Sequence, residues 1–138
     1  MRVALDTNVL VSALLRPASP PARILDLILG RQVTLALDNR IFDEYRNVLA
    51  LPEFRLTETH VALILNLIWG SSERVQPEPL PLRLPDPYDT MFIEVAVSAL
   101  ADAFITGNLK DFPPGQRYGV RVLSPREWLN FWAKLGGE

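Results

Sequence analysis

The stretch MRVALDTNVLVSALL, residues 1–15, places a polar trio between two apolar runs. Val3 to Leu5 reads as a short buried strand, and the run from Val9 to Leu15 as part of a helix. Asp6, Thr7 and Asn8 lie between them. A carboxylate, a hydroxyl and an amide in so apolar a setting cost free energy unless they are hydrogen-bonded or reach water. A parallel α/β sheet supplies such a place, because polar groups gather where its strands end at the carboxyl edge. Asp6 ends the first strand, and Thr106-Gly107-Asn108 ends a later one in the same way.

Outward from this stretch the chain alternates strands and helices. Arg2–Leu5 is read as a strand and Asn8–Leu15 as a helix that Pro17 terminates. SPPARILDLILGR starts a second helix with Ser19 as cap, prolines in the first turn and Gly30 at the end. QVTLALD is a β-branched, apolar strand. Asp38-Asn39 caps the helix RIFDEYRNVLAL, which stops at Pro52. TETHVALILNLIWG is a further helix, capped by Thr57 and ended by Gly70, and ERVQP holds a short strand. PEPLPLRLPDP is an extended crossing loop, because its prolines remove donors and force extended geometry. DPYDTMFIEVAVSALA reads as one helix, DAFITG and VRVLS as strands, and PREWLNFWAKLG as a closing helix. Strands separated by helices imply parallel pairing, hence a three-layer α/β/α sandwich with a central parallel sheet and strand one in its middle. At 138 residues, without repeat or linker, the chain is expected to form a single domain over residues 1–138.

Composition narrows the chemistry. There is no cysteine, so thiolate metal sites, cysteine nucleophiles and disulfides are excluded, and a cytoplasmic location fits. The one histidine, His60, rules out histidine-rich metal sites, and its polar neighbours make it a surface residue. No apolar run reaches the ~18 residues of a membrane span, and the N-terminus has no signal-sequence pattern. The net charge of −2 argues against a nucleic-acid partner on its face. Yet 16 acids oppose 14 bases, and taking five acids into one site leaves 11 acids against those 14 bases. Any metal chemistry must rest on carboxylates, which suit Mg²⁺ or Mn²⁺.

Each acid also has a plain structural reading. Asp6 could cap the helix that follows it. Glu44 falls at the border of the stripe Ile41, Tyr45, Val48 and Leu49, where a glutamate is usually just solvated, while Asp43 points to solvent. Asp86 and Asp89 in DPYD suit a cap and a first-turn acid, yet their spacing puts both on one side at the mouth of an apolar helix. Asp111 in NLKDF could be a turn residue, and Glu94 and Asp102 read as structural. Trp128, Phe131 and Trp132 have helical spacing and read as core or interface.

Taken in order, ALDTNVLVSALL, DEYRNVL, DPYDTMFIEVA and ADAFITGNLKDF resemble the PIN domain family over nearly the whole chain, and most of all a subgroup similar to VapC-type toxins. The resemblance implies an acidic tetrad whose first three members fall on Asp6, Glu44 and Asp89. The fourth falls on Asn108, where many relatives carry aspartate, with Asp111 or Asp86 available to substitute. It also implies that Thr7, Asn8 and Thr106 orient the acids and the attacking water, with Asp86 in support. The expected activity is Mg²⁺- or Mn²⁺-dependent cleavage of RNA, with the three acids within reach of one ion. A homodimer and an antitoxin protein are the expected partners, and the apolar helices bearing Trp69, Trp128 and Trp132 fit the former. Other readings stand beside this one. A haloacid-dehalogenase-type phosphatase needs a second acid at position 8, which is asparagine, and a response-regulator receiver carries its acceptor on a later strand. A PIN nuclease of RNA processing and an inactive PIN scaffold that only binds are the remaining alternatives.

Overall fold

The computed structural model describes residues 1–137. Five strands form one parallel sheet: β1 (Arg2–Leu5), β2 (Thr34–Leu37), β3 (Glu73–Arg74), β4 (Ala103–Ile105) and β5 (Val122–Leu123), in the order β3-β2-β1-β4-β5. Strand one is central, as its uninterrupted burial from Val3 to Leu5 requires. Its register with β4 pairs Val3 with Ala103, Ala4 with Phe104 and Leu5 with Ile105, so both strands end at one level.

Six helices complete the α/β architecture: α1 (Thr7–Leu15), α2 (Pro20–Leu29), α3 (Asn39–Leu49), α4 (Glu58–Ser71), α5 (Thr90–Ser98) and α6 (Pro125–Lys134). Three starts are set by local chemistry visible in the sequence. The Ser19 hydroxyl accepts from the Ala22 N–H at 3.3 Å and the Asp38 carboxylate from the Ile41 N–H at 3.0 Å. Ser124 and Glu127 form a reciprocal capping box on α6. Helix α5 packs against β1, β2 and β4, and α6 against β4 and β5. The core between them includes Leu5, Ile24, Phe92, Phe104 and Phe112, all fully enclosed. Phe104 stacks on Phe92 at 5.4 Å and meets Phe112 edge-on at 4.7 Å.

Some local expectations change. Gly70 lies within α4, which runs on to Ser71, because a helix tolerates one glycine when its apolar face, Val61, Ile64, Leu65 and Ile68, stays buried. Thr57 holds the cap position of α4 without a side-chain capping bond. DPYDTMFIEVAVSALA is not one helix. Pro87–Asp89 forms a 3₁₀ turn and the α-helix begins at Thr90, since the Asp86 carboxylate accepts from the Tyr88 N–H at 2.9 Å and tightens the entry. Trp128 is completely buried with Trp132 stacked on it at 5.5 Å, so the aromatic surface ascribed to α6 is largely covered within the chain. The proline-rich segment up to Leu84 forms neither helix nor strand and makes a tight turn where the Leu82 N–H donates to the Leu80 carbonyl at 2.8 Å. Among the described residues, no helix is long and apolar enough to cross a membrane.

Candidate active site

The central pairing of β1 with β4 delivers the polar residues after each strand to one edge of the sheet. Asp6 directly follows β1, and its N–H donates to the Ile105 carbonyl at 2.9 Å, extending the ladder one residue past the strand. Thr106 follows β4, fully buried, and its hydroxyl donates to Asp6 Oδ2 at 2.7 Å while accepting from the Asn108 N–H at 3.0 Å. Asp6 sits at the cap position of α1 but makes no side-chain capping bond there. Its carboxylate is held by Thr106 across the sheet edge, and the backbone N–H groups of Thr7 and Asn8 at the start of α1 also favour its charge.

The neighbouring polar residues hold one another. The Thr7 hydroxyl donates to Glu44 Oε2, bringing α3 to the start of α1. Asn8 Oδ1 accepts from the Gly107 N–H at 3.1 Å, and a Cβ on Gly107 would stand 3.3 Å from that same oxygen. Glycine thereby lets the loop after β4 lie close against α1. Beneath them the buried Tyr45 donates its hydroxyl to the Leu5 carbonyl at 2.6 Å. Burial first, then the charges of Asp6, Glu44 and Asp38, hold the Tyr45 phenol well above its ordinary pKa of 10.0. Sequence periodicity marks Tyr45 only as apolar; its role as a floor became legible once β1 was beside it.

Asp6, Glu44, Asp86, Asp89 and Asp111 all line one cavity of about 490 Å³, together with Thr7 and Asn8. Val11, Ser12, Val48 and Phe54 complete its wall, residues that carry no functional signal in the sequence. No lysine or arginine lines this cavity. The salt bridges among the described residues lie elsewhere: Arg2 with Glu73, Arg40 with Asp38 and Glu94, and Arg46 with Asp43. Burial, followed by the Glu44 charge, raises the Asp6 pKa from 3.8 to about 6, against the lowering effect of the Thr106 hydrogen bond. Asp89 rises from 3.8 to about 7, by desolvation first and then by the charges of Asp6, Asp86, Asp111 and Glu44.

Asn108 stands apart from the lining residues. Its carboxamide donates to Asp111 Oδ2 at 2.8 Å, so Asp111, three positions on, is the acid presented to the cavity. Among the described residues no three acidic side chains form a ready coordination set, so the expectation that Asp6, Glu44 and Asp89 stand within reach of one ion is not met: like charges with no cation among them stay apart. They ring the cleft, each held by its own hydrogen bond or kept off by like charge. Glu94 and Asp102 lie outside it. The first accepts from Arg40 at 2.8 Å and from the Leu80 N–H at 2.7 Å, and the second from the Arg2 N–H at 2.8 Å.

Comparison with known proteins identifies the fold and the family. The family model described as PIN domain matches residues 2–110. No curated protein sequence matches the chain. Solved structures that share its fold include the following three. VapBC2 from Rickettsia felis, bound to a DNA fragment from their promoter, has a TM-score of 0.59 at 14% identity, covering 90% of this chain and 98% of that one. FitAcB from Neisseria gonorrhoeae has 0.56 at 23% identity, covering 90% and 98%. PAE2754 from Pyrobaculum aerophilum has 0.60 at 17% identity, covering 96% and 89%. With the model spanning most of its length and the sheet edge built as described, the chain belongs to the PIN domain family.

Proposed function

We propose that this protein is a Mg²⁺- or Mn²⁺-dependent endoribonuclease working from the cleft over β1 and β4, and that it is the toxin of a toxin–antitoxin pair. One observation carries the enzymatic reading. Five carboxylates and no base line a single cavity at the sheet's carboxyl edge. Left so, the charges repel, and two carboxyls have pKa values of about 6 and about 7. A structural role does not need that arrangement, whereas functional sites depart from local stability rules in this way.

The donor set fits a hard divalent ion, being all oxygen. Asp6, Glu44 and Asp89 would hold it, with Asp111 in the place that Asn108 leaves without an acid. When bound, such an ion orients a phosphodiester, neutralises its charge and lowers the pKa of a water. The chain's own residues do the positioning. Thr106 fixes the rotamer of Asp6, Thr7 fixes Glu44 and Asn108 fixes Asp111. Asp86 stands at the rim, committed in part to the Tyr88 N–H. The buried threonine and tyrosine hydroxyls keep the floor dry and rigid, which strengthens electrostatic interactions above it.

The toxin reading draws on the VapBC2 and FitAcB neighbours and on the VapC-like motifs, and it implies a cognate antitoxin and a cytoplasmic setting. A small gene immediately upstream encoding a DNA-binding protein supports it; without one, a PIN nuclease of RNA processing is the better account. A homodimer is the proposed assembly, through the exposed Leu63 and Leu67 of α4.

The decisive test uses protein stripped of metal and single-stranded RNA. Cleavage should require added Mg²⁺ or Mn²⁺ and vanish in Asp6→Asn. RNA that stays intact with both ions, while the protein still binds it, would leave the inactive-scaffold reading in possession.

A further inference from the structure

A second cavity, of about 520 Å³, adjoins the acidic cleft and shares Glu44 with it. The 3₁₀ turn before α5 divides the two. Asp86 and Asp89 line the acidic side, whereas Pro87, Tyr88 and Met91 line the other, opposite Asn47 of α3. Tyr88 is 83% exposed, although its N–H is pinned by Asp86 at 2.9 Å. A large aromatic ring held out on a fixed backbone beside an apolar wall is well placed to stack.

The polar groups around this cavity decide what it accepts. Arg40, its only cationic lining residue, spends its guanidinium on Asp38 and Glu94 at 2.7–2.8 Å. Asp43, paired with Arg46, and Glu44 add two carboxylates and Thr90 a hydroxyl, so nothing among the described lining residues matches a phosphate. A flat ligand with apolar faces and a hydrogen-bonding edge does match, with Tyr88, Pro87 and Met91 for the faces and the Asn47 amide for the edge. Single-stranded RNA presents such groups as unstacked bases, bound by aromatic stacking and edge contacts.

We propose that the cavity between Asn47 and Tyr88 is a nucleobase subsite, which seats the base of a nucleotide next to the phosphate at the acidic cleft. The choice of RNA as ligand rests on the nuclease reading above; the cavity and its chemistry do not. Tyr88 is thus a specificity residue, outside the carboxylate set, that fixes which bond of a strand lies over the acids.

Two measurements separate this inference from the reading beneath it. In the first, metal-free protein is titrated with each of the four nucleoside monophosphates and followed by NMR. The Asn47 side-chain amide and the Met91 methyl should shift, with one base preferred, in wild type and Tyr88→Phe but not in Tyr88→Ala. Unmoved signals with all four would overturn the subsite, whatever the enzyme does. In the second, metal-loaded protein cleaves single-stranded RNA carrying an abasic residue at successive positions. One position should raise KM roughly tenfold or more in wild type, and Tyr88→Ala should raise KM alike on intact RNA while becoming indifferent to that position. An intact-RNA KM unchanged in Tyr88→Ala would also overturn it. A wild type that never cleaves RNA would sink the nuclease reading and leave the NMR result to judge the cavity.

Discussion

Thr106 hands its hydroxyl hydrogen to Asp6 across 2.7 Å, tying together the ends of two adjacent parallel strands. This bond opposes the burial that would otherwise drive the Asp6 carboxyl further up. Replacing Thr106 with valine keeps the shape and deletes the donor. The metal-free fold should lose about 1–2 kcal/mol at pH 7, where Asp6 is largely ionised, and clearly less near pH 4. Urea melts at the two pH values check this; equal losses at both would show that packing alone is at stake.

Asp6→Asn should leave the metal-free fold as stable or more stable, by about 0.5–2 kcal/mol at pH 7. The amide oxygen still accepts from Thr106, and the buried charge is gone. Asp6→Ala, which strands that hydroxyl, should cost about 1–2 kcal/mol. Thermal melts with and without Mn²⁺ add the second half. Wild type gains stability through preferential binding to the folded state, and Asp6→Asn gains little.

The pH dependence of the metal-free protein follows from the two raised carboxyls. Asp6 and Asp89 hold protons in the fold up to about pH 6 and about pH 7, against 3.8 in the unfolded chain. Their contribution to stability is therefore complete below the unfolded value and is lost as pH rises through 6 and 7. Stability should fall between about pH 4 and about pH 7, on the order of 1–3 kcal/mol, and level off above. With Mn²⁺ the slope should reverse, because the ion binds the deprotonated acids. Denaturant titrations across that range read both slopes, and a flat metal-free curve would contradict the first.

Asn108→Asp tests the asparagine at the fourth family position. It removes the donor to Asp111 and sets a second carboxylate beside it. The metal-free fold should drop by roughly 1 kcal/mol and the stabilisation by Mn²⁺ should grow. Calorimetric titration of both proteins with Mn²⁺ decides; unchanged affinity would mean that Asp111 already fills the role.

For assembly, Leu63 and Leu67 of α4 are 56% and 47% exposed on one helix face. Light scattering at tens of micromolar should give a dimer mass, and Leu63→Glu should halve it. A monomeric wild type would refute the dimer. Trp69 adds less than its size suggests, since it leans on Phe42 at 4.8 Å and lies under Arg74 at 4.2 Å.

Where the determinants were local, the sequence could be read to the residue. Ser19 and Asp38 announce their helices because a cap needs only the next three positions, whereas Ser124, read as the end of a strand, caps α6. The apolar run Val3–Leu5, closed by polar residues, pointed to β1 as the central strand, which it is. The rest depended on partners far along the chain. Glu44 sits on a helical border that suits water as well as a site, and only Thr7, 37 positions away, shows which it meets. Asn108 carries no sign that its amide turns to Asp111. The 3₁₀ entry to α5 was hidden because Pro87 and Asp86 serve an α-helix equally well. Trp128 at 0% exposure shows why spacing alone cannot tell a core face from an interface.

The bond between Asp6 and Thr106 spans 100 positions of the chain, and that between Asn8 and Gly107 spans 99. A growing polypeptide thus carries Asp6 and then Glu44 well before β4 exists to anchor the first of them, and Asp89 joins them shortly before that strand. Until Thr106 has been added the chain has no complete site. Contacts this distant also close slowly, since loop entropy is spent before they reward it. If the proposed activity is right, the ribosome and its message are spared the nuclease they are making, by the order of the strands alone.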